Sequence, residues 1–187
     1  PRGARVLIPA FTFAAVPSAV VHADCLPVLV EVGENYRVDM DDFAAKLPGA
    51  GAVLISHMRG HTSDMDAILA LCDAAGVPVV EDAAHSLGTT WHGRKIGTIG
   101  KIGCFSFQSY KLVNAGEGGM LITDDPELAA DILADGARRA PARSALLSTA
   151  RFSTAVIPLG TAMTTRGRMN GPLPFTLLMK YDSIASV

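Results

Sequence analysis

Short apolar runs alternate with stretches of helical spacing over residues 5–123. The apolar runs predict strands at residues 6–8, 27–32, 53–55, 77–80, 103–107 and 119–123. Helices are predicted at residues 12–21, 40–47, 64–75 and 127–134. The third of them has apolar residues near helical spacing, and the first is rich in small residues. This alternation predicts an α/β fold, with a mainly parallel sheet and flanking helices.

Polar residues, glycine and proline set the predicted ends of the helices. Asp39 is predicted to cap the second helix and Ser63 the third, while Gly76 is predicted to end the third. Pro126 suits the first turn of the last helix. Pro17 falls in the middle of the first predicted helix, where a proline normally disturbs helical hydrogen bonding.

Charge divides the chain into two parts. Residues 1–136 contain 9 Lys and Arg against 17 Asp and Glu, whereas residues 137–187 contain 7 Lys and Arg against one Asp. We therefore expect a first region at 1–136 and a tail of uncertain structure at 137–187. The tail's arginines are scattered, without interleaved aromatic residues, so no nucleic-acid binding is predicted.

Several classes of protein do not fit the composition. Apolar runs are broken before about 18 residues, and no leader pattern opens the chain, so a cytoplasmic protein without a membrane span is expected. The cysteines, at positions 25, 72 and 104, are too far apart for a zinc ribbon and are expected to be core residues. His57 and His61 are separated by Gly60 and precede a helix, so no metal site is predicted.

An acid and a histidine follow the fourth predicted strand. Ligands of parallel sheets bind beyond the carboxyl ends of the strands, where the segment Glu-Asp-Ala-Ala-His occupies residues 81–85. Asp82 and His85 are therefore candidates for binding, and solvation of a strand end is the alternative. A serine-hydrolase role is not indicated, because the G-x-S-x-G pattern is missing.

Lys111 stands in an uncharged stretch that follows the fifth predicted strand. A lysine near an apolar site can lose its proton near neutral pH, which suits Schiff-base formation. An ordinary surface lysine is the alternative. The nearby Gly-Glu-Gly-Gly run lacks the spacing of a dinucleotide fingerprint, and no P-loop pattern occurs.

Five segments in register resemble one family. They are Pro-Ala-Phe-Thr-Phe at 9–13, His-Met-x-Gly with Asp-Met-Asp-Ala at 57–67, Glu-Asp-Ala-Ala-His at 81–85, Gly-Arg-Lys-Ile-Gly at 93–97, and Gly-x-Phe-Ser-Phe through the lysine to Gly-Glu-Gly-Gly at 103–119. In order and spacing, residues 5–136 resemble the DegT/DnrJ/StrS family of pyridoxal 5′-phosphate (PLP)-dependent sugar aminotransferases. The resemblance implies part of the large domain of a fold type I, aspartate-aminotransferase-like enzyme that works as a homodimer.

The resemblance also implies residue roles. Lys111 matches the lysine that links to PLP and moves the proton during catalysis, and Asp82 matches the carboxylate that pairs with the pyridine nitrogen. These two are the implied catalytic residues. Phe13 matches the aromatic residue that stacks on the pyridine ring, His85 a residue near the ring oxygen, and Ser106 a hydroxyl ligand of the phosphate.

The implied reaction moves an amino group from glutamate or glutamine to a nucleotide-linked keto sugar or a keto cyclitol. The motif Phe-Ser-Phe-Gln-x-x-Lys-Leu resembles inosose aminotransferases and aminohydroxybenzoate synthases most closely. A dehydratase or aromatising synthase on the same scaffold and an inactive PLP-binding fragment are the alternatives. Lys111 speaks against the dehydratases, which carry His in its place.

The chain also departs from the family. Family members are much longer, and the likeness fades after residue 137. Arg166 stands where the family usually has an Asn that reaches the partner subunit's phosphate. We therefore expect a truncated aminotransferase that binds small-molecule substrates.

Overall fold

The computed structural model describes residues 2–116 and 118–139, which belong to two compact units that divide between Phe105 and Ser106. The tail from residue 140 on, with Arg166, lies outside the described residues. The strands are β1 Arg5–Pro9, β2 Leu26–Val30, β3 Ala50–Ser56, β4 Val79–Asp82, β5 Thr90–Trp91, β6 Arg94–Lys95, β7 Ile102–Ser106 and β8 Gly119–Ile122. The helices are α1 Ala15–His22, α2 Met40–Lys46, α3 Met65–Ala75 and α4 Pro126–Arg139.

The first unit contains a parallel sheet with the spatial order β2-β1-β3-β4-β7. The chain passes from β1 outward to β2 and then returns to the other side of β1 for β3. A crevice for ligands forms where such a strand order reverses, at the carboxyl ends of β1 and β3. The predicted α/β fold with a mainly parallel sheet is confirmed.

Apolar faces of the sheet and helices form the core of the first unit. Leu7 and Val53 are fully buried in the central strands β1 and β3. Helix α1 packs Val16 and Val20 against Val6 and Ile8 of β1. Burial of each such side chain stabilises the fold by about 1.5–3 kcal/mol.

Helix α1 begins three residues later than the sequence pattern predicts. It starts at Ala15, so Pro17 lies in the first turn. A proline is accommodated there because the N–H groups of the first turn have no partner within the helix.

Asp64, and not the predicted Ser63, caps helix α3. Its Oδ1 atom accepts a 3.0 Å hydrogen bond from the N–H of Ala67. The Ser63 hydroxyl is buried and accepts a 3.0 Å bond from the N–H of Val38, 25 residues away. The Ser63 side chain, which the local sequence predicted to be the cap, therefore makes a long-range contact with Val38 instead.

Strand β4 lies two residues further along the chain than predicted. Residues 76 and 77 form the C-terminal cap of α3, because Gly76 adopts φ 65° and the N–H of Val77 donates to Cys72 O at 2.9 Å. Gly76 thus ends the helix as predicted. The strand consequently includes Glu81 and Asp82 themselves.

A small hairpin, β5 with β6, was not predicted from the sequence. Its two-residue turn is His92-Gly93, and both residues have positive φ, as a type I′ turn requires. Asp66 at the start of α3 accepts a 2.9 Å bond from Trp91 Nε1 and lies 2.7 Å from His92 Nδ1. The hairpin is therefore tied to the first turn of α3.

In the second unit, Asp125 caps α4 by accepting two 3.0 Å bonds from the N–H groups of Glu127 and Leu128. Pro126 occupies the first helical position, as predicted. Buried Ala129 packs against apolar side chains of β8 and α4. No described helix is both long and apolar enough to cross a membrane.

Candidate functional site

Asp82 is the last residue of β4, and its carboxylate is held by a hydrogen bond to each oxygen. The Ser56 hydroxyl donates to Oδ2 at 2.8 Å, and the N–H of Ala84 donates to Oδ1 at 3.1 Å. Ser56 lies directly opposite Asp82 in the parallel register of β3 and β4. The carboxylate thus has a fixed direction at the carboxyl edge of the sheet, and it retains lone pairs for a further donor.

Glu81, the preceding residue, is fully buried and accepts four hydrogen bonds. Its Oε1 atom accepts from the N–H groups of Ile99 and Gly100, both at 2.6 Å. Its Oε2 atom accepts from the N–H of Gly97 at 2.8 Å and from His57 Nε2 at 3.1 Å. This single carboxylate fixes both the 97–100 loop and the imidazole of His57.

The four donors keep Glu81 ionised in spite of its burial. Desolvation alone would raise the pKa of the carboxyl. The bond from His57 and the three backbone N–H groups outweigh that effect, so the pKa lies below its ordinary value. An ionised Glu81 accepts only, so His57 Nε2 is the donor of their bond.

His57 lies just beyond β3 and is buried at every side-chain atom. Its Nδ1 atom has no hydrogen-bond partner among the residues that the structure describes. His61 is in a different environment, with its ring 5.4 Å from that of Tyr36. In the described ranges no group of three or more His, Cys, Asp or Glu side chains could hold a metal ion.

His85 is partly buried beyond β4, in the same unit as Asp82. Its Nδ1 atom accepts from the N–H of Arg59 at 3.4 Å. Arg59 is exposed and adopts φ 54°, a left-handed conformation that costs a residue other than glycine some energy. The turn after β3 therefore contacts the histidine that follows β4.

Phe13 follows β1 and is 60% exposed. Its carbonyl accepts a 2.9 Å bond from the N–H of Val16 at the start of α1, which fixes its backbone. The ring is thus available to stack on a flat ligand. Phe13, Asp82 and His85 all lie beyond or at the carboxyl ends of strands of the first unit.

Glycines allow the 97–100 loop, which binds the Glu81 carboxylate, to pack closely against the sheet. Gly97 has φ 89°, and a Cβ atom there would overlap the ring of Phe105. A Cβ atom on Gly103 would overlap the carbonyl of Gly97. The loop and β7 can approach this closely only because both positions lack a side chain.

Ser106 and Lys111 belong to the second unit. The Ser106 hydroxyl accepts from the N–H of Gln108 at 3.4 Å, and the N–H of Lys111 donates to Gln108 O at 2.9 Å. Lys111 is partly buried, whereas Tyr110 and Leu112 beside it are 92% and 75% exposed. The lysine thus lies in a turn flanked by exposed apolar side chains.

The predicted core role of the cysteines applies best to Cys72, which is fully buried in α3. Burial raises the pKa of Cys72 to about 11 and that of Cys104 to about 12. Both thiols therefore stay protonated and unreactive at neutral pH. Cys25 is partly exposed and packs at the margin of the α1 core.

A polar cavity of about 410 Å³ opens elsewhere in the first unit. Its lining includes Arg37, Asp39, Asp64 and Trp91, and none of the candidate residues discussed above. Two of its carboxylates already serve as helix caps. The candidate site is therefore defined by the strand ends and not by this cavity.

Comparison with known proteins connects this geometry to a chemistry. A model of the DegT/DnrJ/EryC1/StrS aminotransferase family matches residues 1–154. The spore coat polysaccharide biosynthesis protein SpsC of Bacillus subtilis is 42% identical over 130 residues, which cover 68% of this chain and 33% of SpsC. The L-glutamine:2-deoxy-scyllo-inosose aminotransferase of Streptoalloteichus tenebrarius is 35% identical over 130 residues, which cover 68% of this chain and 30% of that enzyme.

Among solved structures, DesI in the presence of its TDP-sugar product superimposes with a TM-score of 0.68 at 36% identity. The alignment covers 73% of this chain and 35% of DesI. The matched region thus spans about a third of each of these proteins.

Proposed function

Because the chain belongs to the DegT/DnrJ/EryC1/StrS aminotransferase family, we propose that it carries the cofactor-binding core of a PLP-dependent aminotransferase. The amino donor is glutamate or glutamine, and the acceptor is a ketone on a nucleotide-linked sugar or a cyclitol. The names of the inosose aminotransferase and of DesI with its TDP-sugar product support these two acceptor classes. A homodimer and a cytoplasmic location belong to the same proposal.

One observation carries the proposal: the carboxylate of Asp82 is aimed and fixed at the carboxyl edge of the sheet by Ser56 and by the N–H of Ala84. Two of its acceptor positions are used by these donors, and the others can accept a bond from a protonated ring nitrogen. Phe13, with an exposed ring, and the partly buried His85 lie at the same edge. These side chains fit a flat, nitrogen-containing aromatic cofactor.

Each residue then has a distinct task. Asp82 would hold a proton on the pyridine nitrogen, Phe13 would stack on the ring, and His85 would lie near the ring oxygen. The Ser106 hydroxyl would donate to the phosphate. Lys111 would hold the cofactor through Nζ and would carry a proton from the substrate carbon that bears the amino group to the cofactor. The cofactor supplies an electron sink that stabilises negative charge on this carbon.

The proposal can be tested with the full-length protein that carries this sequence. Titration with PLP is followed by absorbance, and glutamate and glutamine are then offered in turn. Conversion of the cofactor to its amino form identifies the donor. Product analysis with a panel of nucleotide-linked keto sugars and keto cyclitols identifies the acceptor. Absence of PLP binding would refute the proposal.

A further inference from the structure

His57 is bonded at its backbone to both ends of the segment that carries two proposed cofactor contacts. Its N–H donates to Asp82 O at 3.0 Å, and its carbonyl accepts from the Ser86 hydroxyl at 2.7 Å. Ser86 is fully buried. The segment 82–86, which includes Asp82 and His85, is therefore tied at its start and its end to a single residue beyond β3.

The imidazole of His57 is in turn held by a rigid acceptor. Its Nε2 atom donates to Glu81 Oε2 at 3.1 Å, and both side chains are 0% exposed. Three backbone N–H groups from the 97–100 loop fix the Glu81 carboxylate independently of the histidine. Moving the imidazole would leave buried polar groups unpaired, so its bond to Glu81 also fixes the backbone of His57.

A second contact leads from the same turn to His85. The N–H of Arg59, two residues after His57, donates to His85 Nδ1. Since the turn begins at His57, the orientation of the His85 ring depends on the same anchored backbone.

We propose that His57 is a positioning residue for the cofactor site. The bond from its imidazole to Glu81 fixes its N–H and carbonyl groups, and these fix Asp82 and the 82–86 segment. This role rests on the proposed function, because Asp82 and His85 bind PLP only if that function is correct. His57 itself does not contact the cofactor in this arrangement.

Two substitutions of His57 distinguish an effect of its bond to Glu81 from an effect of having any polar side chain at this position. In His57→Gln the amide nitrogen can occupy the position of Nε2 and donate to Glu81. In His57→Asn the amide is shorter and reaches only the position of Nδ1. Val20→Ala, in the α1 core, serves as a control that lowers stability away from the site. Ser86→Ala removes the second tie and leaves the imidazole intact.

The measurements use the full-length protein that carries this sequence. They are the dissociation constant for PLP, the absorption spectrum of the bound cofactor, and hydrogen exchange of segment 82–86 without PLP. His57→Asn should weaken PLP binding about 10- to 100-fold, the range found for outer hydrogen-bond partners of metal-binding side chains. It should shift the spectrum in the same direction as Asp82→Asn and accelerate exchange at 82–86. Ser86→Ala should change all three in the same direction, and His57→Gln should stay close to the wild type.

The inference is overturned if His57→Asn lowers the unfolding midpoint but matches Val20→Ala in PLP affinity, spectrum and exchange. If the wild type itself binds no PLP, the proposed function fails. The positioning role of His57 is then tested by hydrogen exchange of segment 82–86 alone. Faster exchange at 82–86 in His57→Asn, but not in His57→Gln, would still support the positioning role. Equal exchange in all variants would refute it.

Discussion

The hydroxyl of Ser56 donates a 2.8 Å hydrogen bond to Oδ2 of Asp82, its partner in the register of β3 and β4. The bond orients the proposed ring partner without supplying its charge. Ser56→Ala should therefore keep PLP bound and reduce turnover about 5- to 10-fold, the effect of losing about 1 kcal/mol. Asp82→Asn removes the charge and should reduce turnover by about a thousandfold or more, because a neutral pyridine is a poor electron sink.

Steady-state kinetics of these variants check this prediction. Ser18→Ala is the matched control, since its exposed hydroxyl donates to the Ala14 carbonyl within α1. Near-normal turnover of Asp82→Asn would contradict the assignment of Asp82.

The assignment of Lys111 predicts a single site of covalent labelling. Borohydride reduction of the PLP-bound protein should fix the label on the peptide that contains Lys111. Borohydride reduces the C=N bond between PLP and the lysine nitrogen to a stable single bond, so only the lysine linked to PLP is labelled. Lys111→Ala should abolish the label, and Lys101→Ala should retain it. Peptide mass spectrometry is the measurement, and label on Lys95 or Lys101 in the wild type would show the assignment to be wrong.

The lowered pKa of Glu81 predicts a pH-dependent contribution to stability. Its pKa is lower in the folded than in the unfolded state, so the unfolded state takes up its proton first as the pH falls. The contribution is complete above the ordinary glutamate value of about 4.3 and is lost as the pH falls through the lower folded value. Glu81→Gln should cost about 3 kcal/mol at neutral pH, because its amide cannot accept from all four donors.

Urea unfolding of the wild type and Glu81→Gln, at neutral pH and at about pH 3, tests this contribution, and the difference between them should shrink in acid. The carboxyls of partly buried Asp42 and exposed Asp66 also have lowered pKa values. Added salt screens these surface groups more than fully buried Glu81, so it separates the two effects. A pH-independent difference would contradict the assignment.

The capping of α3 by Asp64 leads to a further prediction. Asp64→Ala should destabilise the protein by about 1 kcal/mol and loosen the first turn of α3, whereas Asp64→Asn keeps the acceptor and should have little effect. Ser63→Ala leaves the buried N–H of Val38 unpaired and should cost about 1–3 kcal/mol without loosening that turn. Hydrogen exchange of residues 65–68 distinguishes the two, and equal protection in Asp64→Ala and the wild type would contradict the cap.

Gly103→Ala should destabilise the fold more than any single capping change, by about 3 kcal/mol or more, because its Cβ atom would overlap the backbone carbonyl of Gly97. Gly33→Ala is the control, since a Cβ atom there would meet only the Asn35 side chain, at 3.3 Å. Thermal unfolding of both variants checks this, and a similar loss in both would refute the steric argument.

Local pattern was sufficient to predict the strand–helix alternation and the placement of Asp82 at the carboxyl edge. The spacing of apolar residues and the helix ends depend on neighbours close in sequence. The hydrogen bonds that define the site join residues that are distant in sequence. Ser56 and Asp82 are 26 residues apart, and Glu81 and Gly97 are 16 residues apart.

The same limit explains the errors at helix ends. Both Ser63 and Asp64 are good caps by residue type, and only the position of Val38 assigns the first to another task. Lys111 and Ser106 were assigned by family resemblance, and their roles stay predictions. The sequence spoke against a metal site at His57 and gave it no other role, because its burial against Glu81 depends on how β3 and β4 align.

Neighbouring side chains of β4 point to opposite faces of the sheet, so Glu81 and Asp82 share a backbone but not an environment. The buried carboxylate holds the 97–100 loop, and the outer one is the proposed ligand contact. A lineage could therefore replace the residue at position 82, and with it the chemistry, while the anchor at position 81 continues to hold the loop. Folding and ligand contact thus depend on two different, adjacent residues. Mutations at position 82 can therefore change the chemistry of this fold without disrupting its architecture.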